Sequence, residues 1–378
     1  MAAKKPEHGV AAPAARRPQP ESRPGVVRRV PAMLSPLADA LCVGGASILV
    51  ALIVLAFDIR LPPRYTPAMV VTNFLINAPH FLVTYRLLYG SRRRRLEHRG
   101  VAVFMPLLLL LYMIFALVVY PQNPMILGAM VGAGAVLLAW HYTGQAWGMM
   151  ASFGFIQGLG FETLERRLVR ANLYVLLSWH VIWAVVMERK LFEPMGAPEG
   201  ALLLSPAAAA SLYHWATVVA LASSGFGIAG LARLAWRRRR LPTLRMLLPW
   251  VAIHLWYVLL YREPASLFWV QNAHALQYLV FPLRVEMNQT LGEERRARRL
   301  RAHLLVYYLV TVGLGLLVMQ LIPEGAEIAL GLRGVVPLQF AVVSFVNVHH
   351  YYIDNVIWKI RNPVVRQELF GHLLPARA

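Results

Sequence analysis

Five histidines in apolar surroundings repeat one local pattern along this chain, and the pattern is typical of a metal site or a proton relay. Each has an amide, hydroxyl or carboxyl side chain about one helical turn away. An imidazole is costly in hydrocarbon unless it is paired or liganded, so an ionisable side chain at membrane depth indicates a functional site. The five histidines are His80, His141, His274, His349 and His350.

The spacing predicts that these histidines share helix faces with their polar neighbours, because residues three, four or seven apart lie on one side of a helix. His141 and Gln145 are four apart, and His350 lies four before Asp354. His349 is rotated from His350 by about 100°. A ligating histidine usually donates its second N–H to a neighbouring polar group. The side chains predicted to orient the imidazoles are Asn77, Gln145, Asn272, Gln277 and Asn347.

The donor types narrow the choice of metal. Several imidazoles with a carboxylate suit iron, zinc, copper or manganese. The single cysteine, Cys42, excludes thiolate sites and disulfides. We expect one or two Fe(II) ions, with zinc or copper as the alternatives. The predicted ligands are His80, His141, His274, His349, His350 and Asp354, and the predicted catalytic residues are Asp354, Tyr351 and Tyr278.

Composition indicates the kind of element that must position these residues. The chain is 58% hydrophobic and 15% charged, and its mean hydropathy is +0.52, outside the range of ordinary soluble domains. The net charge of +20 comes from basic residues in short runs between apolar stretches. Such runs are orientation signals of a multi-pass membrane protein rather than a nucleic-acid surface. We therefore expect an all-α integral membrane protein with no nucleic-acid partner, in contact with membrane lipids in the cell (inner) membrane.

About ten segments are long and apolar enough to cross a bilayer. With the N-terminus placed in the cytoplasm, 30 of the 38 lysines and arginines fall in inside segments and six in outside segments. This asymmetry predicts that both termini are cytoplasmic. The predicted spans are 33–57, 66–89, 101–120, 124–150, 168–187, 207–232, 245–261, 265–286, 303–322 and 335–358.

The domain organisation follows from these spans. Residues 1–31 are rich in Ala, Pro and Arg and are predicted to be a disordered basic cytoplasmic tail. Residues 32–361 form the transmembrane domain, and residues 362–378 form a cytoplasmic C-terminal tail. No connection between spans is long enough for a folded domain, so any chemistry takes place within the membrane or at its edge.

Three further histidines within spans lie in less polar surroundings, and we interpret them as packing residues, which usually form interhelical bonds. His180 and His254 also remain candidates for a second metal position, and His214 lies near the outer end of its span. Near the cytoplasmic end of a span, Arg284 and Glu286 either anchor the helix or admit protons.

Two segments carry a family resemblance. The segments AWHYTGQAWG around His141 and NAPHF around His80 resemble the Brp/Blh family of membrane carotenoid-cleaving dioxygenases. This resemblance implies a polytopic all-α fold, an iron centre ligated by membrane histidines, and oxidative cleavage of β-carotene to retinal. It would make His80 and His141 iron ligands. The chain departs from the family pattern at Trp147, where an acidic residue is expected, and the HHYYIDNVIWK segment has no counterpart there.

The leading functional hypothesis is a membrane non-haem iron enzyme that oxidises a lipophilic substrate from the bilayer with dioxygen. A second hypothesis is an intramembrane zinc hydrolase of a lipid amide or ester, with Asp354 as general base. A third is a proton- or ion-coupled transporter with a histidine relay, and a fourth is haem ligation by paired histidines.

Overall fold

The computed structural model describes residues 31–61, 66–192, 205–291 and 299–373, without the side chains of 187–192. Within these ranges the chain contains no β-strand, which confirms the all-α prediction. The predicted N-terminal tail and most of the longest outside connection lie outside the described residues. The helices are α1 Pro36–Ala56, α2 Pro67–Tyr89, α3 Arg92–Glu97, α4 Gly100–Val119, α5 Met125–Ile156, α6 Thr163–Phe192, α7 Pro206–Arg238, α8 Leu244–Arg262, α9 Leu267–Leu291, α10 Leu300–Ala329, α11 Leu338–Ile357 and α12 Pro363–Phe370.

Seven of the helices in the described ranges are long and apolar enough to cross a membrane. They are α1, α4, α5, α6, α7, α8 and α10, and they confirm a multi-pass membrane protein. Each predicted span overlaps one of the ten long helices. Three of these helices, α2, α9 and α11, are not among the seven apolar ones. Those three carry His80, His274 and His350 together with their polar neighbours, and polar side chains lower the mean hydropathy of a helix.

Helix α2 changes its winding just before His80. Residues Asn73–Asn77 form a π-helical turn, followed by Pro79 in the next turn. Proline has no N–H and cannot donate to the carbonyl four residues earlier, that of Leu75. The hydroxyl of Tyr308 on α10 donates to this carbonyl instead. Because the freed carbonyl has a partner from a neighbouring helix, the irregular turn is tolerated at membrane depth.

Helix α1 has a comparable kink at Gly44, whose φ is 154°. A Cβ atom at this position would lie 2.8 Å from the carbonyl oxygen of Leu248, so only glycine allows α1 and α8 to approach this closely. Beside the kink, the carbonyl of Val43 accepts a 2.7 Å hydrogen bond from Nε2 of Gln277 on α9. The kink therefore joins α1 to one of the histidine-bearing helices.

The C-terminal segment, predicted as a tail from residue 362, contains helix α12. Val365, Leu369 and Phe370 of this helix are buried. The Nδ2 group of Asn288 on α9 donates to the carbonyl of Glu368 at 2.7 Å, which attaches α12 to the end of α9. This part of the predicted tail is therefore packed against the bundle.

Candidate metal centre

Three histidines from three helices meet in the interior of the bundle. His80 on α2, His141 on α5 and His350 on α11 are 1%, 7% and 0% exposed. One ring nitrogen of each can be chosen so that all three atoms lie within 4.8 Å of one another. The Nε2 atoms of His141 and His350 are 3.4 Å apart. These are residues 80, 141 and 350 in sequence, so the helix packing alone brings them together.

Asp354 adds a carboxylate to this group. It lies one turn after His350 on α11, and its Oδ2 is 3.3 Å from Nε2 of His350 and 3.7 Å from Nε2 of His141. Two donor atoms bound about 2.1 Å from one ion in tetrahedral geometry are about 3.4 Å apart. The spacing of these three atoms is therefore that of donors around one metal ion.

The other carboxylate oxygen of Asp354 is held by hydroxyl groups. Tyr278 on α9 donates to Oδ1 at 2.7 Å, and Thr84 on α2 donates to the same atom at 3.2 Å. The Nε1–H of Trp358 donates in turn to the Tyr278 hydroxyl at 2.9 Å. One oxygen is thus fixed by protein donors, while the other, Oδ2, has no hydrogen-bond partner among the residues that the structure describes and faces the imidazoles. Such outer partners orient a ligating carboxylate.

Buried atoms without partners support a metal ion at this position. Nδ1 of His80 and Oδ2 of Asp354, both on residues of the cluster, have no hydrogen-bond partner among the described residues. A buried polar group without a partner costs about 1–3 kcal/mol in a native protein. A bound cation would satisfy lone pairs at this cluster, and the donor set of imidazole and carboxylate is one that iron, zinc and copper accept.

His274 on α9 adjoins the same group. Its ring centroid lies 4.7 Å from that of His141 and 5.1 Å from that of His80. The side chain is buried, and neither ring nitrogen has a hydrogen-bond partner in the described part of the chain. The structure therefore brings four of the five predicted histidines together.

His349 lies apart from the other four predicted histidines. Its Nδ1 is 2.9 Å from the hydroxyl of Tyr85, and its Nε2 is 2.8 Å from the carbonyl oxygen of Val101. Both ring nitrogens are therefore engaged away from the cluster. The reason is the rotation of about 100° between consecutive helical residues, which allows only one of the adjacent pair to face the site.

The predicted orienting amides lie near the site, but they donate to backbone carbonyls and to other amides rather than to imidazoles. Gln145 donates through Nε2 to the carbonyl of His274 at 3.1 Å and to Oε1 of Gln277 at 3.3 Å. These bonds join α5 to α9 and, through Gln277, to α1. The remaining amides donate within their own helices, from Asn77 to Asn73 Oδ1, Asn272 to the Phe268 carbonyl and Asn347 to the Val343 carbonyl.

The two predicted catalytic tyrosines border the cluster. The ring of Tyr278 stands edge-on to His80 with centroids 4.3 Å apart, in addition to its bond with Asp354. The ring of Tyr351 lies 4.8 Å from that of His141, and its hydroxyl donates to Oδ1 of Asn347. Thr84 and Trp358 were not among the predicted site residues. Thr84 follows His80 by four residues, and Trp358 follows Asp354 by four residues. This interval of one helical turn is the sequence signal that indicates them.

A small cleft adjoins the imidazoles and has room for about one water-sized molecule. It is lined by Asn77, His80, Phe81, Leu138, Tyr142, Gln271, His274, Asn347 and Tyr351.

The other three histidines of the spans occupy separate positions. His180 is fully buried, with Nδ1 3.1 Å from the hydroxyl of Tyr257. Nδ1 of His254 donates to the carbonyl of Trp250 at 2.7 Å, and His214 is exposed. None of them belongs to the three-histidine group. Comparison with protein-family models, curated proteins and solved structures finds no match to this chain.

Proposed function

We propose that this protein is an integral-membrane metalloenzyme whose histidine and aspartate cluster binds iron and oxidises a lipophilic substrate with dioxygen. The observation that carries this proposal is the convergence of Nε2 of His141, Nε2 of His350 and Oδ2 of Asp354 at 3.3–3.7 Å from one another. Two imidazoles and one carboxylate with open positions are typical of non-haem iron oxygenases.

His80 completes the proposed ligand set, and His274 adjoins it with neither ring nitrogen hydrogen-bonded within the described part of the chain. Iron bound by these groups would supply dioxygen activation, and the residues around it have separate tasks. Tyr278 and Thr84 hold Asp354 with one oxygen directed at the imidazoles, which keeps the carboxylate in place. The small cleft would give dioxygen access to the imidazoles.

A lipophilic substrate is supported by the location of the cleft. It lies between α2, α5, α9 and α11, at the depth of the histidines in these helices, and apolar side chains cover the outer helices α4 and α10. We propose that all ten long helices cross the membrane with both termini cytoplasmic, in line with the charge asymmetry. The resemblance of the His80 and His141 segments to the carotenoid-cleaving family supports a carotenoid as the first substrate to test.

The test is metal analysis of protein purified in detergent without added metal, together with an optical spectrum. We expect close to one or two iron atoms per chain, no Soret band, and dioxygen-dependent loss of carotenoid absorption when β-carotene is added in micelles. Stoichiometric zinc would overturn the oxygenase and favour the hydrolase, and a Soret band would favour haem.

Site variants show whether the metal is bound where we propose. His141→Ala should lose most of the bound iron. His214→Ala is the matched control, since this histidine is exposed and lies outside the cluster. If His141→Ala keeps the full metal content of the wild type, the proposed site is wrong.

A further inference from the structure

A continuous path of aromatic rings leads away from the candidate metal centre. The ring of Tyr142 lies 4.4 Å from that of His274, measured between centroids, and 5.8 Å from His180. His180 is 5.3 Å from Tyr257, which stacks on Trp179 at 5.1 Å. The rings belong to α5, α6, α8 and α9, so the path crosses several helices rather than following one.

The path continues to the surface of the bundle. Trp179 lies 5.8 Å from Tyr213, which stacks on Tyr261 at 5.6 Å. Tyr261 is 51% exposed. The next residue, Arg262, forms an exposed ion pair with Asp58 at 2.6 Å, which marks the water-facing end of these helices. No step between successive ring centroids exceeds 5.8 Å.

One pair in this path is equipped to move a proton together with an electron. The hydroxyl of Tyr257 lies 3.1 Å from Nδ1 of His180, and both side chains are buried. The Nε2 atom of His180 has no hydrogen-bond partner in the described part of the chain. A buried phenol is oxidised readily only when a base beside it accepts its proton, because a phenol radical cation is strongly acidic. His180 Nδ1 is such a base.

We propose that Tyr142, His180, Tyr257, Trp179, Tyr213 and Tyr261 form an electron relay between the metal centre and the water-facing end of the bundle. The relay rests on the proposed function for its oxidant, which is the metal centre after reaction with dioxygen. Its electron source is a one-electron reductant in the aqueous phase. When no substrate is bound, the relay returns the centre to its reduced state before its own ligands are oxidised.

The electrons and protons of this process balance. One electron leaves Tyr257 and tunnels across Tyr142 to the oxidised centre, while the phenolic proton moves to His180 Nδ1. An electron from the aqueous reductant then passes by way of Tyr261, across Tyr213 and Trp179, to the Tyr257 radical, and the proton returns from His180. Tyr142 and Tyr213 are crossed without being oxidised, because their hydroxyl groups have no hydrogen-bond partner among the described residues that could accept a proton. In sum, the reductant loses one electron and the centre gains one.

The first experiment needs no iron. The purified full-length protein is illuminated with a water-soluble ruthenium photo-oxidant and an electron acceptor, and the neutral tyrosyl radical is measured by electron paramagnetic resonance. We expect a radical assigned to Tyr257 that is lost in Tyr257→Phe and in Trp179→Phe. Tyr174→Phe is the matched control, because Tyr174 is half exposed on α6 and outside the path. An equal radical signal in wild type and Tyr257→Phe would overturn the relay.

The second experiment tests whether the relay protects the iron-loaded protein from oxidation of its own histidines. Wild type and variants are exposed to dioxygen without substrate, with and without ascorbate, and oxidised histidine is measured by mass spectrometry. Ascorbate should protect the wild type and Tyr174→Phe, and protection should be lost in Tyr257→Phe. Equal protection of all three would overturn the proposed role. A protein that gives the expected radical in the first experiment but binds no iron contradicts the proposed function and the role of the relay at the metal centre, while the electron path through Tyr257 stands.

Discussion

The Oδ2 oxygen of Asp354 lies 3.3 Å from Nε2 of His350, one turn earlier on the same helix, while its Oδ1 accepts the Tyr278 hydroxyl at 2.7 Å. A carboxylate held in this way has one oxygen satisfied by the protein and one directed at the imidazoles. This relationship makes the cluster a candidate metal site rather than a set of packing histidines, and it leads to the first three predictions.

The adjacent residues His349 and His350 should differ in their effect on metal binding. His350→Gln removes a donor 3.4 Å from His141 Nε2 and should lose most of the bound metal. His349→Gln leaves the cluster intact, because both nitrogens of His349 bond elsewhere, and should keep it. Elemental analysis of the two purified variants measures the difference. Equal metal loss in both would contradict the proposal that His350, and not His349, is a metal ligand.

Asp354→Asn should lower the metal affinity by at least about 10–100-fold, which is the usual loss when a hydrogen-bond partner of a metal ligand is removed. The amide lacks the negative charge that attracts a cation to Oδ2. The measurement is competition with a chelator of known affinity, and Asp58→Asn serves as the control because that carboxylate is exposed. Unchanged affinity in Asp354→Asn would remove the carboxylate from the ligand set.

Tyr278→Phe should keep the fold and reduce metal affinity by about 10–100-fold, since it removes the hydroxyl that orients Asp354. Tyr112→Phe is the control, because its hydroxyl donates to the carbonyl of Ile126, in a separate hydrophobic cluster. The chelator competition applies here also. If both variants bind metal equally well, the hydroxyl has no role in positioning the carboxylate.

Helix α10 should tolerate a methyl group at Gly313 but not at Gly315. A Cβ at Gly315 would lie 2.7 Å from Cβ of Ala78, two residues before His80, whereas one at Gly313 meets nothing within 4 Å. Gly315→Ala should therefore cost about 1–3 kcal/mol through overpacking. Gly313→Ala should be neutral or stabilising by up to about 1 kcal/mol, the difference in helix propensity.

Thermal unfolding in detergent measures both glycine variants, and metal content adds a second readout. Displacement of α2 should also lower the metal content of Gly315→Ala. Equal unfolding temperatures in the two variants would show that the α2–α10 contact adapts without cost.

A buried and an exposed aspartate should differ sharply in their effect on stability. Asp39 is fully buried, accepts from the backbone N–H groups of Met33 and Leu34, and lies 3.4 Å from Arg245. Asp39→Ala leaves a buried arginine without its carboxylate and should cost about 3–5 kcal/mol. Asp58→Ala breaks an exposed pair and should cost less than about 1 kcal/mol. Equal falls in unfolding temperature in the two variants would contradict the prediction that loss of the buried aspartate costs more stability than loss of the exposed one.

Local patterns in the sequence were sufficient for the class of fold and for the residue pairs that share one helix face in the candidate site. Apolar stretches of membrane length predict the long helices because hydrocarbon thickness sets helix length. Intervals of four residues place Gln145 beside His141 and Asp354 beside His350, since these pairs depend only on helix geometry. The same interval indicates Thr84 and Trp358, although neither was predicted as a site residue.

The sequence by itself therefore determined an all-α membrane protein with polar residues at defined intervals along its helices. Only the tertiary structure decided which of two adjacent histidines faces the cluster, that Tyr278 of α9 reaches Asp354 of α11, and that the amides bond to backbone and other amides rather than to imidazoles. The physical reason is that intervals along a chain specify relative positions within one helix. The rotation of each helix about its axis, and the distance to its neighbours, depend on packing and kinks contributed by residues far apart in sequence, such as Gly44, Pro79 and Gly315.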